Sequence, residues 1–439
     1  MVKGLFKIKP ITMFRGYCQT HAQIKGEKMK KKVFMICLIG SFICLSCFAI
    51  MEKTVTAAAT GPVKIGVVTA KSSFLAYHGK YAEWGYMMAA EEINAKGGVL
   101  GRPIKFFWRD TKIKPDVAAR EARDLVFRDK VNFLIGCFIT STTNAVSSFA
   151  KENKVLFLGS GSGVSLREEQ GHRYFFGTSA NSSMAAKAQA LNIKRKGYKS
   201  VWFIGPDYAY GHQGVKGSKH YLSDLIPGVK YLGESWPPLG EKDFGPFIAG
   251  ISRAKPDVVF SWLFGGDQGA FVKQANSFGL FKTTQYAADF GPESLRPLGQ
   301  EVPEGLLGIS WYEFLVPDTP ENKRFAEKFK AKYGDYPSRE GMHYYNAVHL
   351  LALAIEKAGT TETEAVIDAL EKVHFKSPVG DLYFRQIDHQ ISLPMVAGET
   401  MKMSGLDYLV VAKDAVVLPA EELWHSEAEV RAKRKAAKK

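Results

Sequence analysis

Three glycines alternate with two serines at Gly159-Ser160-Gly161-Ser162-Gly163, directly after an apolar run, and two kinds of chemistry use such a bend. A dinucleotide turn needs G-x-G-x-x-G, so that a helix packs close to the strand and phosphate meets bare N–H groups. Here Val164 and Leu166 stand three residues after Gly161 and Gly163, and the pattern fails. A nucleophile elbow needs G-x-S-x-G. Glycine follows two residues after both Gly159 and Gly161, so that pattern fails too. What remains is a strand end offering backbone N–H groups and small hydroxyls to a crevice.

Other reactive groupings are equally poor. The ten histidines are scattered without an H-E-x-x-H, and His343 and His349 are six apart, which does not bring them onto one helix face for chelation. No G-x-x-x-x-G-K-[ST] occurs, so the chain has no phosphate-cradling loop for ATP hydrolysis. Asp388-His389-Gln390 has no identifiable nucleophile beside it. Four of the five cysteines, Cys18, Cys37, Cys44 and Cys47, precede residue 60; Cys137 alone follows, which leaves that part without an internal disulfide or a cysteine metal cluster. The expectation is a chain that is not an enzyme, with no cofactor and no metal.

The elements that must position the bend alternate regularly. "VKIGVV" reads as a strand, and Ala82, Gly85, Tyr86, Ala89 and Ile93 then mark one face of a helix that stops at Gly97-Gly98. "IKFFW", a helix from Pro115 to about Arg128, "NFLI", a helix from about Thr143 and "VLFL" follow. A second series pairs a helix at 182–196 with "SVWFIG", a helix from His212 with "VKYLGES", a helix after Asp243 with "DVVFSW", and a helix at 267–278 with "QYAA". The chain closes with "GLLGIS", long helices at 320–333 and 342–358, and shorter strands at "GDLYFR", "PMVAGETMK" and "LDYLVVAK". Strand and helix in alternation mean a parallel sheet covered on both faces, and two such series mean two similar lobes. Ligands of such sheets sit beyond the C-terminal strand ends. The segments there, "TAKSSFLAY", "GCFITSTTNA", "GSGSGVS", "GPDYAYGHQG", "LFGGDQG" and "ADFGPE", are rich in glycine, hydroxyls and aromatics, as a site for a small polar molecule requires.

Charge and length set the remaining bounds. The 439 residues carry a formal charge of +15, of which +8 lies in residues 1–59 and +5 in the tail from Glu429, leaving +2 for the body. A body so nearly neutral has no field for nucleic acid. The basic tail, 426–439, reads as a solvated end or an anchor to anionic lipid. Lys30-Lys31-Lys32, an apolar run from Val33 to Ile50 and Ala57-Ala58-Ala59 form the three regions of an export signal over 29–59. Residues 1–28 would then be an over-long extension, and Cys47 an option for lipidation.

The string "GYMMAAEEINAKGGVLGRPIKF", continued by "FLIGCFITSTTNAV", "DYAYGHQG", "DFGPFIAGISRAKPDVVF", "FVKQANSFGL", "YNAVHLLALAIEKAG" and "SPVGDLYFRQIDHQ", resembles the type I periplasmic solute-binding proteins. The likeness is to the leucine/isoleucine/valine-binding branch of ABC transporters, and it spans about Val63 to Met403. It implies an α/β fold of two Rossmann-like lobes joined by a three-crossing hinge, with 62–180 and 308–384 in lobe 1 and 181–307 and 385–425 in lobe 2. It implies that Thr140, Ser141 and Thr142 grip a ligand carboxylate, with Ser162 and Gly163 beside them; glycine at 163 stands where amino-acid binders commonly carry threonine. Tyr210 matches the ligand-facing tyrosine of the second lobe, and Phe264 the aromatic wall, widened here by Gly265-Gly266. Asp289 is the first choice of acid for an α-ammonium and Asp267 the second, Asp267 being equally suited to cap a helix. Phe74 and Tyr77 are the aromatic floor, or core. The implied function is capture of a small polar solute, foremost a branched-chain or other aliphatic amino acid, in the periplasm for delivery to a membrane permease and its ATPase. The alternatives are an amide, urea or aromatic carboxylate as ligand, or a sensing module of a receptor.

Overall fold

The computed structural model describes residues 61–72 and 75–438; the expected leader, its cleavage and lipidation sites and Phe74 lie outside the described residues. The first series runs β1 (Val63–Thr69), α1 (Ala76–Ala95), β2 (Ile104–Asp110), α2 (Pro115–Phe127), β3 (Phe133–Gly136), α3 (Thr140–Asn153), β4 (Phe157–Gly159) and β5 (Phe175–Gly177). The second runs α4 (Ser182–Arg195), β6 (Ser200–Ile204), α5 (Ala209–Leu225), β7 (Lys230–Ser235), α6 (Gly245–Ala254), β8 (Val258–Ser261), α7 (Gly265–Ser277), β9 (Gln285–Asp289), α8 (Pro292–Leu295) and β10 (Leu307–Ser310). Then come α9 (Pro320–Tyr333), α10 (Arg339–Ala358), α11 (Thr363–Leu370), β11 (Phe375–Ser377), β12 (Gly380–Leu382), β13 (Phe384–Arg385), β14 (Gln390–Ile391), β15 (Met395–Met401), β16 (Val410–Leu418), α12 (Ala420–Leu423) and α13 (Glu427–Ala436).

Two seven-stranded sheets result, in the orders β13-β14-β5-β4-β3-β1-β2 and β16-β15-β10-β9-β8-β6-β7. Within them strands β1 to β5 pair in parallel, as do β6 to β10, and antiparallel pairs arise where the late strands β13, β15 and β16 join; β11 and β12 form a separate antiparallel pair. Helices on both faces explain the continuous apolar runs: every residue of "FLIG" in β3 and "VVFS" in β8 is buried. In the first lobe α10 lies against α1 so closely that a Cβ on Gly85 would sit 2.1 Å from the Gly341 carbonyl oxygen. Only glycine fits there.

Among the described residues the chain crosses between sheets three times, after β5, after β10 and after β14. Two expected boundaries move. Leu307–Ser310 pairs with β9 and β15 and so stays with the second sheet, whereas β13 and β14 stay with the first, pairing with each other and with β5. An apolar run such as "LGIS" reads alike in either sheet, and only its pairing partners decide. Residues 427–436 of the expected solvated tail form a helix seated on protein. Among the described residues no helix is long and apolar enough to cross a membrane.

Candidate functional site

A cleft of about 1170 Å³ opens beyond the C-terminal strand ends, lined by residues of both series. Its first-lobe wall is the start of α3. Ile139 is extended, and the hydroxyls of Thr142 and Thr143 both turn back to its carbonyl, at 3.0 and 2.8 Å. That stabilises the first turn from within and leaves its end without a side-chain cap, so the leading N–H groups remain available to a ligand. Thr140 and Ser141 line the cleft, with Ser162 from the glycine-serine bend beside them. Ser160 also lines it, but its hydroxyl is engaged with the Cys137 carbonyl at 2.8 Å and with Tyr344.

The second-lobe wall is aromatic. Tyr210 stands in the first turn of α5, at right angles to Trp262 and Phe264, each with ring centroids 5.5 Å away. Trp262 is fixed by its Nε1–H, which donates to Ser218 Oγ at 3.0 Å. Tyr208, Tyr210, Phe264 and Leu239 are all exposed along this wall, an apolar surface open to a ligand.

Between the walls, one guanidinium meets three carboxylates. Arg339, in the first turn of α10, places Nη1 3.2 Å from Asp289 Oδ2, Nη2 3.0 Å from Glu293 Oε1 and Nε 2.9 Å from Glu340 Oε1. Trp311 Nε1 donates to the same Asp289 oxygen at 2.8 Å, and His78 Nδ1 lies 2.9 Å from Glu340 Oε1. Asp289 Oδ1 and Glu293 Oε2 are buried without a partner. Burial pushes the carboxyls of Asp289 and Glu293 up, and Arg339 offsets this only in part. Burial acts likewise on Glu340, but His78 and Arg339 outweigh it and hold that carboxyl well below the usual range. His343, also lining the cleft, is held down to about 4 by burial and is neutral at pH 7. The cluster therefore sets three carboxyls against one guanidinium, with one oxygen of Asp289 and one of Glu293 unspent.

At the rim Arg296 of the second lobe donates to Tyr77 OH at 2.9 Å and Tyr408 OH at 3.1 Å, and also to Tyr81 and Asp335. Tyr77, Tyr81 and Asp335 belong to the first lobe. The guanidinium is thus ringed by three phenols and one carboxylate.

This cleft between two parallel-sheet lobes fits a known family. A model of the family described as periplasmic binding protein matches residues 62–403. The chain belongs to that family. The leucine-, isoleucine-, valine-, threonine- and alanine-binding protein of Pseudomonas aeruginosa is 25% identical to it over 361 residues, 82% of this chain and 92% of the relative. An amino acid binding protein of the same organism is 28% identical, over 81% of this chain and 92% of its own length. A solved periplasmic binding protein from Burkholderia mallei has a TM-score of 0.72 at 27% identity, over 85% of this chain and 99% of that one.

Seen as a periplasmic binding protein, the chain brings Tyr77, Thr140, Ser141, Ser162, Tyr210, Phe264, Asp267 and Asp289 to one cleft. Two of the expected residues, Thr142 and Gly163, do not line it. Thr142 is buried, with its hydroxyl spent on Ile139, because it faces inward on a helical turn rather than outward on a loop. Gly163 does not line the cleft: a Cβ there would meet Thr140 Cγ2 at 2.4 Å, so the methyl of Thr140 fills the space that a side chain at 163 would take. Asp267 is not a helix cap. It sits inside the first turn of α7, and its Oδ2 accepts the Gly240 N–H at 2.9 Å. Asp289 is already paired with Arg339. The residues that sequence reasoning missed are Arg339, Glu293, Glu340, His78, Trp311 and Arg296. The acids among them had a signal, since Glu293 and Glu340 follow Pro292 and Ser338 at helix starts, but acids are ordinary in first turns. Outside the cleft, His389 is stacked on Phe176 with both ring nitrogens engaged, by the Phe175 carbonyl and Glu371, and Asp388 is bound by Arg385.

Proposed function

We propose that this periplasmic binding protein is the solute carrier of an ABC importer and that its solute is an α-amino acid with an aliphatic side chain. The observation that carries the ligand class is the pair of carboxylates Asp289 and Glu293, each tied to Arg339 through one oxygen and each with its other oxygen buried and unpartnered. An ammonium group would donate to those two oxygens and draw the proton off both carboxyls. An anion placed there would face repulsion as well as desolvation. The opposite wall supplies what the ligand carboxylate needs, the leading N–H groups of α3 with the hydroxyls of Thr140, Ser141 and Ser162. An aliphatic side chain would lie on Tyr210, Trp262, Phe264 and Leu239. The names of the two Pseudomonas relatives support the same class.

Binding works as a population shift: contacts to both walls favour the closed form by their differential affinity for it. The closed complex then docks on a membrane permease, and the ATPase subunit of that transporter supplies the hydrolysis. The export signal read over 29–59 supports a site of action in the periplasm.

Thermal shift against L-leucine, L-valine, L-alanine, acetamide, urea and benzoate tests the reading. A native-state ligand at a hundredfold excess over Kd stabilises by about 2.7 kcal/mol. A shift with leucine or valine, lost in Asp289→Asn and Glu293→Gln, is expected. A shift with benzoate or the amides alone sinks the amino-acid assignment and leaves the carrier role standing.

A further inference from the structure

The last described helix is joined to the second lobe and seated on the first. Just before it, Leu423 of α12 packs in a buried cluster with Met184, Ala185 and Ala188 of α4. His425 follows between the lobes: Nε2 lies 3.1 Å from Ser183 Oγ and 3.0 Å from Tyr221 OH of the second, and Nδ1 lies 2.6 Å from Glu168 Oε1 of the first. Ser426 and Glu429 then close a capping box that starts α13. From that helix Lys433 Nζ reaches Glu168 Oε2 at 2.7 Å, while Arg434 donates from Nε to the Glu168 carbonyl at 2.9 Å and from Nη2 to the Arg167 carbonyl at 3.0 Å. Residues 404–439 lie beyond the 62–403 that match the family.

The segment it grips leads to the cleft. Arg167 is fully buried, and its guanidinium donates to backbone carbonyls: Nη1 to Gly161 at 2.7 Å and Gly163 at 3.2 Å, and Nη2 to Ser179 at 3.3 Å. Gly161 and Gly163 flank the cleft-lining Ser162, and Ser179 lies in the first interlobe crossing. The Ser182 N–H, at the start of α4, donates to the Ser162 carbonyl at 2.9 Å. The guanidinium lies so close to β5 that a Cβ on Gly177 would sit 2.1 Å from Arg167 Nε.

We propose that residues 424–436 form a fourth tether between the lobes, and that through Arg167 and Glu168 it positions the cleft loop Gly161–Gly163. Three backbone crossings allow the lobes to rotate about them. A side-chain clamp that must hold His425 between Ser183, Tyr221 and Glu168 limits that rotation, and Glu168 is well suited to the clamp. Burial raises its carboxyl, but His425 and Lys433 outweigh this and keep it ionised. Arg167, Glu168, His425, Lys433 and Arg434 are positioning residues, since none of them lines the cleft.

The test compares the wild type with a Lys433→Ala/Arg434→Ala double variant and with a chain ending at Leu423. Small-angle scattering reads the radius of gyration and hydrogen exchange reads the amides of 161–163 and 178–182, with β1 and β6 as control strands. The expected result is a larger radius of gyration and about fivefold or faster exchange at those two segments, with the control strands unchanged. Unchanged values in the double variant overturn the proposal. So does exchange that rises equally in β1 and β6, because that reports general loss of stability. If the shortened chain does not fold, Glu168→Gln replaces it, keeping the side-chain shape and removing the charge.

Discussion

Arg339 Nη2, carried by the first lobe, lies 3.0 Å from Glu293 Oε1 of the second, so one guanidinium ties the two walls of the cleft together. Removing it by Arg339→Ala would strand Asp289, Glu293 and Glu340 without their cation, which for a buried pair costs about 3–5 kcal/mol. The loss should depend on pH. Asp289 and Glu293 already have raised carboxyls, so the native state takes up protons more readily than the unfolded chain, and stability falls as pH rises. Urea denaturation at pH 5 and pH 8 checks this: the variant should lose more at pH 8, and an equal loss at both would count against the charge account.

Arg296 forms the reciprocal bridge, from the second lobe to Asp335, Tyr77 and Tyr81 of the first. All of its partners are protein groups, so the bridge favours approach of the lobes without any contribution from solute. Arg296→Ala is expected to raise the radius of gyration and to speed dissociation of a bound amino acid, with little change in the far-UV circular dichroism. Stopped-flow fluorescence follows the second effect through Trp311 and Trp262, which line the cleft. A dissociation rate equal to that of the wild type would show that the bridge does not restrain opening.

The alternation of strands and helices was legible because the core side of each element is strongly apolar. The cleft was less so, for a reason that recurs at four helices. Helices α3, α5, α7 and α10 begin at Thr140, Ala209, Gly265 and Arg339, against expected starts of Thr143, His212, Asp267 and Met342. Their first turns bring Thr140, Tyr210, Asp267 and Arg339 to the cleft, where no apolar spacing marks the helix. The periodic signal thus fades at the turns that carry function. Glu293 and Arg339 are 46 positions apart and come from different lobes. Neither spacing nor local pattern could join them; only the crossings do.

Gly163 and Thr140 are coupled by space. A Cβ at 163 would meet Thr140 Cγ2 at 2.4 Å, while the backbone φ of −61° at Gly163 suits any residue, so the barrier to a side chain is steric alone. Gly163→Ala should cost about 1–3 kcal/mol through overpacking. Thr140→Ser removes the clashing methyl and keeps the hydroxyl, so the double variant should recover much of that loss. Thermal denaturation of the four proteins in a cycle gives the coupling, and additive effects would show that the two residues do not compete for one space.

Glu313 gives a pH dependence apart from the cleft. It is buried in the second crossing; Oε2 accepts the Val411 N–H at 3.2 Å and Oε1 has no partner. Burial pushes its carboxyl up to about 8 from the ordinary 4.5. The native state therefore holds a proton that the unfolded chain has released, and this contribution to stability is lost as pH rises from about 4.5 through 8. At about 1.4 kcal/mol per unit, the change is on the order of 3–5 kcal/mol. Glu313→Gln keeps the shape and the acceptor for Val411 but cannot ionise. Relative to the wild type it should gain stability steadily from pH 5 to pH 8, a comparison in which the titration of His172 and His343, both held down to about 4 by burial, cancels. A difference between the two proteins that stays constant across that range would mean that Glu313 is ionised in the native state at neutral pH.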